Sequence, residues 1–173
     1  VSDTPSASGT DGPADVPARD ASGSDAVAEG SVAPLVTPPD HPTFVVMEVV
    51  HVVFELPSPS PLLVLQEADV PHRTLEFPIG LPEGQSIAMA IAHERPPRPG
   101  AHELLVAVLR AAACDVIAVR LTTEHGGTIH AELDLQGPRG HEVLDCRPTD
   151  GIAVALRLAV PAPILAEVGL LER

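Results

Sequence analysis

The chain has 173 residues, of which 24 are acidic, 10 are arginine and none is lysine, for a formal net charge of −14. That length suits one domain with a real core. So acidic a chain does not draw nucleic acid by its overall field, and a polyanion would need a local arginine cluster or bound cations.

Residues 1–43 read as a disordered acidic tail, rich in Pro, Ser, Ala, Gly and Asp, with no Phe before Phe44. Such a segment cannot bury enough apolar surface to offset its ordering entropy. The tail has seven acids and one arginine, and residues 44–173 have 17 and nine, so the negative excess is shared. Val1 would be an initiator read from a non-standard start codon, with Met47 as an alternative start.

Residues 44–173 are expected to form a single domain. Phe44 to Leu56 is rich in β-branched residues and predicts a long, largely buried strand. Pro57-Ser58-Pro59-Ser60-Pro61 turns the chain, and Leu62 to Glu67 and Arg73 to Ile79 predict two more strands. Pro82-Glu83 opens a helix with Ile87, Ala88 and Ile91 on one face, stopped by Arg95-Pro96-Pro97-Arg98-Pro99-Gly100. A second helix, His102 to Ala113, carries Leu104, Leu105, Val108, Leu109 and Ala112 at helical spacing, a stripe expected in the core.

Asp115 to Glu124 and Thr128 to Leu135 predict a hairpin around Gly126-Gly127. After a turn at Gly137-Pro138-Arg139-Gly140, His141 to Asp145 returns as a strand. A helix from Pro148 to about Ala159 is apolar nearly all round and should be buried on more than one side. Ile164-Leu165 is a short strand, and Glu167 to Leu171 a helical turn. The order βββαα-βββα-β argues an α+β fold with a mixed, mostly antiparallel sheet. Ile87 to Ala90 (IAMA) recurs as Ile152 to Ala155 (IAVA), which suggests an internal duplication.

Cys114 and Cys146 lack a paired metal spacing and read as reduced thiols of a cytoplasmic protein. No run approaches the roughly 18 apolar residues of a membrane helix, and the N-terminus lacks the basic-then-apolar order of a secretory signal. There is no HExxH, no CxxC and no phosphate-cradling glycine loop. His125 and His130 flank the Gly-Gly turn and read as solvent-facing residues.

The richest stretch is Asp145 to Leu156, DCRPTDGIAVAL. Pro148 suits a first helical turn, and Thr149 and Asp150 can cap or complement the free N–H groups there. Asp145, Arg147 and Asp150 thus converge on one helix N-terminus, a place that binds anions readily. The plainer account is an Asp145–Arg147 pair beside a cap.

This stretch resembles the D-A-R-P-S-D-A-I-A-L-A-L motif of the bifunctional nuclease domain family. Four more segments resemble that family in the same order: EVVHVVFELPS from Glu48, IGLPEGQSIAMA from Ile79, ERPPRPGAHELL from Glu94 and GGTIHAELDL from Gly126. Together they cover about Met47 to Leu171. The chain departs from the pattern at His51, Ala101, Gly151 and Pro78. Pro78 stands where the family has a tryptophan, a loss that weakens base stacking.

The resemblance implies an enzyme that cleaves DNA and RNA, with Glu83, His102, Asp145, Arg147 and Asp150 at its motif positions. Cutting DNA requires an activated water, commonly on a divalent ion such as Mg or Mn held by carboxylates. Asp145, Asp150 and Glu83 are the acids expected for that metal and for catalysis. Arg147 would hold a phosphate, and His102 would move a proton. Nucleic acid is the expected partner, and assembly as a homo-oligomer is compatible with it. A structural role is also open to each residue: a charge on a helix end for Glu83 and Asp150, a loop hydrogen bond for His102. The alternative function is a non-catalytic domain that recognises a small anion or a protein partner.

Overall fold

The computed structural model describes residues 43–54, 59–125 and 128–172. Nearly all of the expected tail, the first two residues of the proline-rich turn and the Gly126-Gly127 turn lie outside the described residues. Seven strands form one sheet: β1 Phe44–Val53, β2 Leu62–Glu67, β3 Thr74–Pro78, β4 Asp115–His125, β5 Thr128–Gly137, β6 Gly140–Cys146 and β7 Ile164–Glu167. Three helices accompany them: α1 Leu81–Ile91, α2 Ala101–Ala111 and α3 Pro148–Ala155. The protein is therefore of the α+β class. A 3-10 turn, Val168–Leu170, follows β7.

The strand order is β3-β2-β1-β7-β4-β5-β6. Two antiparallel meanders, β1–β3 and β4–β6, flank the short β7. β7 runs antiparallel to β1 and parallel to β4, which makes the sheet mixed. Each meander leads into a helix, α1 after β3 and α3 after β6. α1 lies on β1, α3 lies on β4 and β5, the two helices touch, and α2 rests on α3.

The core lies between this helical layer and one face of the sheet. Leu63, Leu65, Ile87, Val119, Leu121 and Ile152 are completely buried in it. Strand alternation supplies those residues: Val119 and Leu121 of β4 and Leu133 and Leu135 of β5 point to the helices. α3 is short but apolar all round, and every residue from Gly151 to Ala155 is buried, as the sequence predicts. Its end falls earlier than Ala159, at Ala155, where Arg157 donates Nη1–H to the carbonyl of Ala153 at 2.9 Å.

Two expectations of burial fail because the helices cover a single face of the sheet and nothing among the described residues covers the outer side of α2. β1 is one-sided rather than largely buried. Met47 is 3% exposed, whereas Val46 and Val50 on the opposite face are 45% and 44% exposed. Most of the α2 stripe is not core: Leu104 is 60% and Val108 53% exposed, Leu109 alone of the larger residues packs against the core, and Val106, outside the stripe, is buried. α2 turns Val106 and Leu109 inward and presents the other apolar side to solvent.

Candidate functional site

Three helix N-termini supply one connected set of charged side chains. Each helix has an acid at its third position: Glu83 in α1, Glu103 in α2 and Asp150 in α3. Carboxylates are favoured there by the partial positive charge of the free N–H groups. Pro82 and Pro148 occupy the first turns of α1 and α3, where a missing N–H is no loss. Glycine follows the acid in both helices. A Cβ on Gly151 would lie 2.8 Å from Val119 Cγ1 and 3.2 Å from Cys146 Sγ, so glycine lets α3 lie directly on β4. A Cβ on Gly84 would lie 3.2 Å from Pro61 and 3.4 Å from Val52 of β1, a looser version of the same approach.

Arg147, immediately before α3, joins two of these acids. Its Nε donates to Asp150 Oδ2 at 2.7 Å, its Nη2 to Asp150 Oδ1 at 2.9 Å, and its Nη1 to Glu83 Oε1 at 3.0 Å. The contact with Asp150 is bidentate, the strongest geometry for this pair. The Arg147 side chain is 66% exposed and the Asp150 and Glu83 side chains 30% and 21%, so the cluster faces solvent. Burial alone would push the Asp150 carboxyl up, but the hydrogen bonds from Arg147 and His102 outweigh it and hold the group below the ordinary aspartate range. The same bond to Asp150, with its charge, raises Arg147 further above the ordinary arginine value.

His102, in the first turn of α2, closes the set. Its Nε2 lies 3.2 Å from Asp150 Oδ1 and its Nδ1 2.9 Å from Ser86 Oγ. Behind Ser86 stands Arg157, whose Nη2 donates to Ser86 Oγ and to the Ser86 carbonyl, each at 2.9 Å. Arg157 also donates through Nε to Glu103, which in turn accepts the N–H of Gly100 at 2.9 Å. The network therefore runs from the exposed Arg147 to Arg157, whose side chain is 10% exposed, and ties all three helices together. Burial again acts upward on Glu103, and Arg157 with the N-terminal N–H groups overcomes it and lowers its pKa.

Four of the five sequence-predicted residues, Glu83, His102, Arg147 and Asp150, meet in this cluster. Asp145 does not. It sits on β6 opposite Glu132 of β5. Its neighbour Cys146 lies against Gly151 of α3, so alternation turns Asp145 to the other face of the sheet. The expected Asp145–Arg147 pair is absent: Asp145 is on the other face of the sheet, and Arg147 reaches Asp150 and Glu83 instead. Neither Thr149 nor Asp150 caps α3 through its side chain, since the Asp150 carboxylate is turned to Arg147 and His102. Ser86, Arg157 and Glu103 escaped the sequence reading. Glu103 alone carried a signal there, an acid three residues after Gly100.

The donor set does not fit the expected divalent ion as it stands. Among the described residues no group of three His, Cys, Asp or Glu side chains converges as metal ligands would. Glu83 and Asp150 enclose a guanidinium in the place a cation would take, and their expected third partner, Asp145, is on the far face. His130 is exposed near the hairpin turn, and the His125 side chain lies outside the described residues. Both cysteines are free thiols, and burial, with Asp150 and Asp145 nearby, pushes the Cys146 thiol up to about 11, far from a reactive thiolate.

A profile of the bifunctional nuclease domain matches residues 63–172. The chain belongs to the bifunctional nuclease domain family. Two relatives are uncharacterized proteins of Mycobacterium tuberculosis, from strains CDC 1551 / Oshkosh and ATCC 25618 / H37Rv. Each is 35% identical over 129 residues, covering 72% of this chain and 76% of its own length. In this bifunctional nuclease domain, the matched span begins in β2 and takes in all three helices and the whole Arg147 cluster. No helix among the described residues is long and apolar enough to cross a membrane.

Proposed function

We propose that this bifunctional nuclease domain binds a phosphodiester of DNA or RNA at the joined N-termini of α1, α2 and α3 and hydrolyses it there. The observation that carries the reading is the exposed Arg147 guanidinium held among three helix N-termini with His102 beside it. Helix N-termini and a bidentate arginine both favour a phosphate. They also stabilise the extra negative charge that develops at phosphorus when water attacks. Arg147 would turn one edge from its carboxylates to the phosphate, which frees a carboxylate oxygen of Glu83 or Asp150 to take a proton from the attacking water. His102 would handle the proton at the leaving oxygen through Nε2.

Arg95 and Arg98 extend the surface for a longer strand. Both are exposed in the loop that leads into His102. Neither meets a carboxylate among the described residues, whereas Arg73, Arg120, Arg139, Arg147 and Arg157 all do. They form the local basic edge that an acidic chain needs in order to approach a polyanion. The free thiols suit the reducing cytoplasm as the compartment.

The test is a cleavage assay on single-stranded DNA and RNA with purified protein, its Arg147→Ala and His102→Gln variants, and arms with EDTA and with Mg or Mn added back. Cleavage lost in both variants supports the reading. Cleavage that persists in both removes it. A second reading, a protein-binding domain without catalysis, is favoured by the exposed apolar side of α2.

A further inference from the structure

We infer that Ser86, held by Arg157, fixes the proton of His102 on Nε2, which makes Ser86 a positioning residue for the site. The inference rests on the site proposed above and concerns the form in which His102 meets a ligand. It follows from counting donors. A guanidinium has only N–H donors and no acceptor. Arg157 Nη2 lies 2.9 Å from Ser86 Oγ, so the serine oxygen must accept there. The serine proton is then left for its other described partner, His102 Nδ1, also at 2.9 Å. Nδ1 accepts, and a neutral imidazole that accepts at Nδ1 carries its proton on Nε2.

The other end of the ring agrees. Nε2 faces Asp150 Oδ1 at 3.2 Å, and that carboxylate can only accept. Donation thus runs in one direction, from Arg157 to Ser86 to His102 to Asp150, while Arg147 donates to Asp150 from the solvent side. A proton on Nδ1 would reverse the middle of the chain. Two donors would crowd the serine oxygen, the serine hydrogen would lose its acceptor, and an unprotonated Nε2 would face a carboxylate.

Arg157 is fixed by more than Ser86. It also donates to the carbonyls of Ala153 and Ser86 and to the Glu103 carboxylate. Glu103 stands beside His102 on α2, so the helix that carries the histidine also anchors the arginine that orients it. The consequence for the proposed reaction is specific. His102 presents an N–H to the site, the form that donates a hydrogen bond to a phosphate or leaving oxygen and cannot take a proton from water at Nε2.

Nitrogen-15 NMR of the full chain, at about pH 8 where an ordinary imidazole is neutral, reads which ring nitrogen of His102 is protonated. His102→Gln assigns the signals. The expected result is an unprotonated Nδ1 and a protonated Nε2. Ser86→Ala should move His102 toward a mixture of tautomers, and Ser86→Thr, which keeps the hydroxyl, should restore the original form. A wild-type proton on Nδ1, or no change in Ser86→Ala, overturns the inference. This readout needs no substrate, so it stands apart from the nuclease reading. Where the wild type cleaves, Ser86→Ala should lower kcat roughly tenfold at unchanged KM, and an unchanged kcat overturns the positioning role. A wild type that cleaves nothing sinks the proposed function and leaves the tautomer result to decide this inference.

Discussion

The first half of the sheet and the second are laid out alike, yet they do different work. Each is an antiparallel three-stranded meander followed by a helix with proline in its first turn, an acid at its third position and glycine next. Each of those glycines faces the first strand of its own meander, Gly84 toward β1 and Gly151 toward β4. The halves part company in burial and in charge. α3 is buried from Gly151 to Ala155, whereas α1 buries only Gly84, Ile87 and Ala90. The second half supplies Arg147, and the first supplies α2 with His102. The site therefore exists only where the halves meet, and the comparison teaches that similar backbones can divide one constellation between them.

The comparison can be broken first at the core. Ile87 and Ile152 are both completely buried, so Ile87→Ala and Ile152→Ala should each cost about 2–5 kcal/mol in urea unfolding. A large loss in one and a small loss in the other would show that the halves do not share a core. Next comes charge. Arg147→Ala should weaken binding of inorganic phosphate roughly tenfold to a hundredfold. Its exposed ion pairs should contribute no more than about 1 kcal/mol to stability. Phosphate affinity should survive EDTA, because the arginine and the helix ends need no cation. Asp145→Asn, on the other face, should change neither quantity by more than about 0.5 kcal/mol.

The glycines sharpen the contrast at a smaller scale. Gly151→Ala should destabilise by about 1–3 kcal/mol, since the new methyl meets Val119. Gly84→Ala should come close to neutral, because a gain of about 1 kcal/mol in helix propensity offsets its milder crowding. Equal losses would mean that α1 is as tightly seated as α3.

Acid should loosen the junction between the halves. The folded-state pKa values of Asp150 and Glu103 lie below their ordinary values of 3.8 and 4.5. The stability they contribute is present above those values and lost as pH falls through the lowered ones. Thermal midpoints should thus hold steady down to about pH 5 and fall below about pH 4, and less steeply in Asp150→Asn. The smallest effect belongs to α2: Leu104→Ser and Val108→Ser should stay within about 0.5 kcal/mol, and Val106→Ala should exceed both.

Much of the strand pattern was legible because β-branched runs bounded by proline and glycine admit few alternatives. β2 is such a case, and α3 announced its burial by being apolar on every side. The α2 stripe misled because helical spacing shows that a face is apolar, not that something covers it. The echo of IAMA in IAVA is out of step with the structural likeness, which pairs Glu83 with Asp150 instead. Charged residues close in sequence, Arg147 and Asp150, were readable as neighbours. The bond from Arg147 to Glu83 spans distant segments and depends on two helices meeting, which no local spacing encodes. Ser86 and Arg157 were silent for the same reason. Asp145 was placed in the site by its motif and removed from it by the two-residue period of a strand.

Arg147 already has an anion in its grip. Two carboxylates occupy the positions that a phosphate would claim, so they would compete with the phosphate proposed to bind there. Weak monoanions such as chloride or acetate offer no more than Asp150 offers and have no advantage of geometry. A ligand must bring greater charge density, or several phosphates in a row, to displace it. On the proposed reading the resting cluster would act as a threshold, one that weak monoanions do not pass and that a phosphate dianion or a row of phosphates does.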